Sequence, residues 1–125
     1  MAVTMTWPGG EHPFRLALAQ LEGLQQKTDA GPEWLLMRLQ TGQWTAVEVF
    51  ETLRFGLIGG GMEDGSAAKA VRNAFDRHPL IEFKVPALSV LMAALYGAAD
   101  DRVGEPSPAG ETTPSDSLAE SCSSA

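Results

Sequence analysis

"TAVEVFETLRFGLIGGGMEDG", residues 45–65, carries a helix start, a helix body and a helix stop in one continuous run. Thr45 and Glu48 stand at the spacing of a capping box. In that motif the threonine hydroxyl and the glutamate carboxylate each accept a hydrogen bond from a backbone N–H that the helix leaves unpaired. Behind them Val47, Phe50, Leu53, Leu57 and Ile58 recur at helical intervals, which predicts one buried stripe. Gly59, Gly60 and Gly61 then end the helix, because glycine enters the left-handed cap conformation without a Cβ penalty. Asp64 or Ser66 is expected to cap the helix that follows, where acids in the first turn meet the positive end of its dipole.

A glycine cluster behind an apolar run also raises the question of a phosphate loop. A Walker-type loop needs a lysine and a hydroxyl residue directly after its last glycine, and none follows here. A dinucleotide fingerprint counted from Gly59 puts Asp64 where its third glycine belongs, and the preceding segment reads as a helix, not a strand. Glu63 and Asp64 would also repel the anion. The triplet reads as a joint between helices.

Working outward, the chain reads as further helices. Gly31-Pro32 opens a short one, with Leu35, Leu36 and Leu39 on its apolar face and Gly42 at its end. After the triplet, Ala67, Val71, Ala74, Phe75 and His78 step at helical spacing until Pro79 interrupts. Pro86 starts a last helix, striped by Leu88, Leu91, Met92, Leu95 and Tyr96 and closed by Gly97. Near the start, Phe14, Leu16 and Leu18 alternate as in a strand, then Leu18, Leu21 and Leu24 shift to helical spacing. This predicts an extended lead-in followed by a helix over about 18–28. No second strand presents itself, so a stable sheet is not expected. The expected fold is all-α: a small bundle of four to five short helices over 14–97, a flexible lead-in over 1–13, and a disordered acidic tail over 98–125.

The tail follows from composition. Residues 98–125 hold six acids and one base, a net of −5, with only Val103 and Leu118 as larger aliphatics. Such a stretch buries too little apolar surface to offset about 1–2 kcal/mol of ordering entropy per residue. The body carries the remaining −2 of the formal net charge of −7. An acidic chain of this kind lacks the basic face that nucleic acid requires, while basic protein partners remain open to it. No apolar run is long enough for a membrane span, and the first residues show no basic start with an apolar core behind it. One cysteine, Cys122, cannot form an internal disulfide, and a cytoplasmic location is expected.

No catalytic constellation emerges, and the protein is expected not to be an enzyme, without cofactor or metal. His12 and His78 are far apart and have no carboxylate or thiol at ligand spacing. His78, just before Pro79, suits the negative end of a helix dipole. Cys122 has no neighbouring base. Trp7, Trp34 and Trp44 read as packing residues first and partner anchors second.

Three segments carry a family resemblance: "TGQWTAVEVFETLRFGLIGGGM" (41–62), "AVRNAFDRHPL" (70–80) and "LMAALYG" (91–97). Together, over residues 10–97, they resemble the small tail-cluster proteins of gene transfer agents and phages of alphaproteobacteria. The matching positions are structural: Gly42, Trp44, Gly59, Gly60, Gly61 and Met62. Relatives often carry Ser-Pro after the methionine where this chain has Glu63-Asp64, and the acidic tail has no counterpart in the resemblance.

The resemblance implies a tail assembly chaperone that holds the tape measure protein, and tail tube subunits with it, until the tube polymerises. The alternative is a structural component of the tail, although tube subunits are typically β-rich and this chain reads as helical. A third reading is a small ligand-binding enzyme at Gly59–Gly61. A chaperone needs apolar grooves and adaptable side chains, and Phe55, Leu57, Met62, Leu91, Met92 and Tyr96 are the candidate contacts. Core filling is the alternative use of each, and self-association is open.

Overall fold

A computed structural model of the chain describes residues 2–97, together with two short pairs of residues, 113–114 and 116–117, bridged in parallel. Apart from those four, the tail over 98–125, expected to be disordered, lies outside the described residues. The fold opens with an antiparallel hairpin, β1 (Val3–Trp7) and β2 (Gly10–Phe14), and continues through five helices. These are α1 (Leu18–Thr28), α2 (Pro32–Thr41), α3 (Ala46–Gly59), α4 (Asp64–Arg77) and α5 (Lys84–Tyr96), the last preceded by a 3-10 turn, Leu80–Phe83.

The hairpin corrects the all-α expectation, and it occupies most of the supposed lead-in. Its first strand, VTMTW, alternates as a half-buried strand should: Thr4 and Thr6 are exposed, Val3 and Met5 half-buried, and Trp7 buried. Pro8, Gly9 and Gly10 reverse the chain, with Gly10 at φ 121°. A two-stranded hairpin is marginal alone in water. This one is held because Trp7 and Phe14 are buried side by side, their rings 5.8 Å apart and edge-on. Trp7 Nε1–H also donates to His12 Nδ1 across the hairpin at 2.9 Å.

α3 is the hub, touched by α1, α4, α5 and β2. The capping box forms as its sequence requires: Glu48 N–H donates to Thr45 Oγ1 at 3.2 Å, and Thr45 N–H to Glu48 Oε1 at 3.0 Å. Its buried face comprises Val49, Thr52, Leu53, Gly56 and Leu57. The stripe is thus rotated from the expected one, and Val47 faces outward. Thr52 is tolerated in the core because its hydroxyl donates to Glu48 O at 2.7 Å. Full burial of a leucine such as Leu53 contributes about 1.5–3 kcal/mol.

The flanking helices follow their sequence signals closely. α1 runs from Leu18 to Thr28, and α2 begins with Pro32, buries Leu35, Leu36 and Leu39, and ends at Gly42 with φ 79°. α4 buries Ala67, Val71 and Ala74, but its cap is Glu63, not Asp64 or Ser66. The Glu63 carboxylate accepts from Ser66 N–H at 3.0 Å, and backbone N–H groups of Gly65 and Ser66 hold it below the usual glutamate range. α5 begins two residues before Pro86, because the 3-10 turn after Pro79 feeds it directly. Its buried face is Ala87, Val90 and Leu91, next to Phe83, so the expected stripe is again rotated. Leu88 and Leu95 are half-buried, and Met92 and Tyr96 are exposed. Phe83 joins an aromatic cluster with Phe75, at a ring separation of 4.4 Å, and with Trp7 at 6.4 Å.

Candidate functional site

Two places need a physical account: the glycine joint after α3, and the surface where α2, α5 and β1 meet.

At the joint, Gly61 N–H donates to Ile58 O at 3.0 Å and Met62 N–H to Leu57 O at 2.9 Å. With Gly61 at φ 116°, these bonds form a Schellman-type helix end. Gly59 and Gly60 are required for a different reason. A Cβ on Gly59 would overlap the Arg15 carbonyl, and one on Gly60 would overlap the Pro13 carbonyl. The backbone leaving β2 lies directly on the last turn of α3, and Arg15 N–H donates to Gly56 O at 2.9 Å. The triplet therefore presents its smooth side to carbonyl oxygens, which suit no phosphate. Arg54 braces the other side, with Glu51 and Asp64 each at 2.7 Å from its guanidinium, which stacks 4.4 Å from the Phe55 ring.

The second place is open. Two adjoining grooves of about 850 and 660 Å³ share Gln40, Met92 and Tyr96. The first adds Trp34 and Met37 from α2, and the second adds Met5 from β1 and Val85 and Leu88 from α5. Trp34 is 51% exposed, Met92 44%, Val85 67% and Tyr96 69%. Among the described residues, the only charged side chain lining either groove is Glu33. Large apolar side chains exposed next to one another, with thioethers among them, make a protein-docking surface more than a reaction vessel.

The six candidate contacts separate accordingly. Leu57 and Leu91 are 1% and 0% exposed and belong to the core. Phe55 and Met62 are half-buried against that core. Met92 and Tyr96 lie together on the open surface. Of the signature positions, Gly59, Gly60 and Gly61 form the joint, Gly42 ends α2, and Trp44 packs half-buried beside the α3 cap. Trp34, Met37, Val85 and Leu88 complete the surface; of these the sequence raised only Trp34 as a partner anchor, second to packing. Trp34 and Met37 fall outside the Leu35–Leu36–Leu39 face of α2, which was the available signal.

His12 and His78 have separate partners: His12 takes the Trp7 indole, and His78 Nδ1 lies 3.2 Å from Glu82 Oε1. Among the described residues, no cluster of three metal-ligating side chains occurs, and no helix is long and apolar enough to cross a membrane.

The sequence model of one protein family matches residues 1–97; its description is "Phage tail tube protein, GTA-gp10". Neither the curated proteins nor the solved structures contain a match to this chain.

Proposed function

This chain belongs to the GTA-gp10 phage tail tube protein family, and from that membership we propose that it serves a phage-like tail as a non-catalytic protein, acting by binding other tail proteins. The observation that carries the binding half of this reading is the open apolar surface of α2, α5 and β1, where Trp34, Met92 and Tyr96 are exposed side by side. The family description favours a part built into the tail itself, in contact with its neighbours or with further copies.

A second reading rests on a specific observation. Within residues 2–97 the only sheet is the two-stranded hairpin, and the rest of the core is helical. A wall of β-rich subunits has little to pair with here. A helical protein with an adaptable apolar face suits instead an assembly chaperone that holds the tape measure protein soluble before tube growth. Candidate contacts for either role are Met92 and Tyr96, with Phe55 and Met62 at the margin.

The two readings separate on one experiment. Mature particles are purified from producing cells, and the protein is quantified by mass spectrometry against a known tail subunit. Stoichiometric recovery supports the built-in component. Absence from particles, with co-purification of the tape measure protein from lysates, supports the chaperone. Absence from both overturns the proposal.

A further inference from the structure

We infer that the outer edge of β1 pairs antiparallel with the same strand of a second copy, closing a dimer around one continuous sheet. The inference goes beyond the tail reading and does not depend on it, because it follows from the backbone of the hairpin.

The register fixes where the backbone groups point. Pro13 has no N–H and stands opposite Thr4, so the two form a pair without ladder bonds between them. Bonded and non-bonded pairs alternate along an antiparallel ladder. Thr6–Glu11 is therefore of the same kind, and Val3, Met5 and Trp7 are the residues bonded to β2. The N–H and C=O of Thr4 and Thr6 point away from β2. Among the described residues, no backbone group bonds to them there.

The two edges of the hairpin differ. That of β2 is closed: Pro13 has no N–H to give, its carbonyl abuts Gly60, and Arg15 N–H is bonded to Gly56 O at 2.9 Å. That of β1 is open. Residues 5–8 all line one groove of about 480 Å³, whose far wall is Glu82, Val85, Pro86 and Ser89. Consecutive residues of a strand point to opposite faces, so a groove they line in a row runs along the strand's edge. A further strand, about 4.8 Å from β1, falls in that space.

The strand suits its own copy. VTMTW carries no charge, no proline and, in its register, no bulge, so it has none of the devices that keep sheet edges apart. Thr4 and Thr6 also lie symmetrically about Met5. A two-fold axis through Met5 sets Thr4 opposite Thr6 of the second copy, and the reverse. Each threonine gives one N–H and one C=O, which completes about four hydrogen bonds across the axis. The threonine side chains become cross-strand pairs on the exposed face, and the half-buried Met5 of each copy meets the other on the inner face. Pro8 stops the ladder there. A strand of another protein would use the same backbone groups, but the two-fold match of Thr4 to Thr6 belongs to this strand with itself. Because the edge of β2 is closed, the sheet ends at β2–β1–β1–β2 and the assembly closes at two copies. A marginal hairpin thereby joins a sheet of stable size.

The test is sedimentation equilibrium of the full 125-residue protein at a series of concentrations. A monomer–dimer equilibrium is expected, with no larger species. Thr4→Pro and Thr6→Pro each remove an N–H that the hairpin does not use. Each should weaken dimerisation about tenfold or more with an unchanged circular dichroism spectrum. Two charge variants guard against a fold defect. Thr4→Lys with Thr6→Lys sets like charges opposite each other across the axis and should abolish the dimer. Thr4→Glu with Thr6→Lys sets opposite charges there and should keep it at wild-type strength or above. A merely structural role for the threonines would make both double variants behave alike. Val47→Asp, on an exposed position of α3 that does not line the groove, should change nothing. A protein that stays monomeric overturns the inference, as does a larger oligomer or a dimer indifferent to both proline variants. Equal loss in the two charge variants overturns it as well. A monomer that binds tail proteins and loses them on Thr4→Pro would assign the edge to a strand of another protein, which also overturns it. A dimer with the expected variant pattern upholds the inference whether or not tail proteins are recovered with it.

Discussion

The glycine joint and the α2–α5 surface are opposites made from similar material. Both begin as apolar residues on helices next to the hairpin. At the joint, Gly59 and Gly60 are hemmed in: Arg15 and Pro13 press on them, Arg54 closes the side, and the helix end bonds to itself, leaving only Gly61 open. At the α2–α5 surface, Met92 and Tyr96 stand on the same helix as the buried Val90 and Leu91, yet reach solvent. The difference teaches where function can reside. A site whose atoms are all committed to packing has nothing left to offer a partner, whereas an apolar side chain without neighbours remains free to gain them. The contrast is open to attack from either side.

The largest effect belongs to the core that both regions lean on. Phe83 is fully buried between Trp7 and Phe75, joining the hairpin to α5. Phe83→Ala should cost about 3–5 kcal/mol of stability, measured as a lowered urea midpoint. A loss near the size of a surface substitution would mean that the hairpin is not docked as described. Next comes the joint itself. Gly60 has an ordinary right-handed φ of −80°, so alanine there meets no backbone strain, only the Pro13 carbonyl. Gly60→Ala should therefore cost about 1–3 kcal/mol through overpacking alone. A neutral result would detach the hairpin from α3 and remove the reason for the second glycine.

That second prediction marks the limit of what the sequence could say. The helix stop was legible in the triplet, as was the capping box before it, because both are local chemistry among residues a few positions apart. The bounds of α1 and the buried leucines of α2 were legible for the same reason. The pressure of Pro13 and Arg15 on Gly59 and Gly60 was not, since it links positions more than forty residues apart. The hairpin had a signal in VTMTW followed by Pro-Gly-Gly. It was masked because the returning strand, GEHPF, contains a proline and only one large apolar residue. The open surface was half legible. Spacing identified Met92 and Tyr96 as apolar helix residues, but which way a stripe faces depends on what packs against it. The rotations of α3 and α5 therefore moved Val47, Met92 and Tyr96 out and left Leu57 and Leu91 in the core.

At the start of α3, Thr45→Ala should cost about 1 kcal/mol by releasing the N–H of Glu48, read from the same urea experiment. It sharpens the comparison because the α3 cap is exposed yet structural, so exposure alone does not make a docking site. The cap of α4 should behave likewise but with a pH signature. Glu63 is held below its ordinary value by the N–H groups of Gly65 and Ser66, so the ionised form is the stabilising one. Its contribution is complete above the unfolded carboxyl's pKa and disappears as pH falls through the lower folded value. Paired unfolding curves of the wild type and Glu63→Gln should keep a constant gap near neutrality and converge in acid. A gap that widens in acid would contradict the cap.

The smallest expected change in stability is the most informative about function. Met92 and Tyr96 keep 44% and 69% of their surface in solvent, so removing their apolar groups removes far less than a core substitution does. Met92→Ser with Tyr96→Ser should shift unfolding by no more than about 0.5 kcal/mol. The same pair lies at the overlap of the two grooves. Recovery of tail proteins on the variant should then fall steeply while its melting curve stays in place. If instead the double variant loses as much stability as Gly60→Ala, the two side chains are packing residues. The α2–α5 surface would then be a closed region like the joint, and the distinction between the two would collapse.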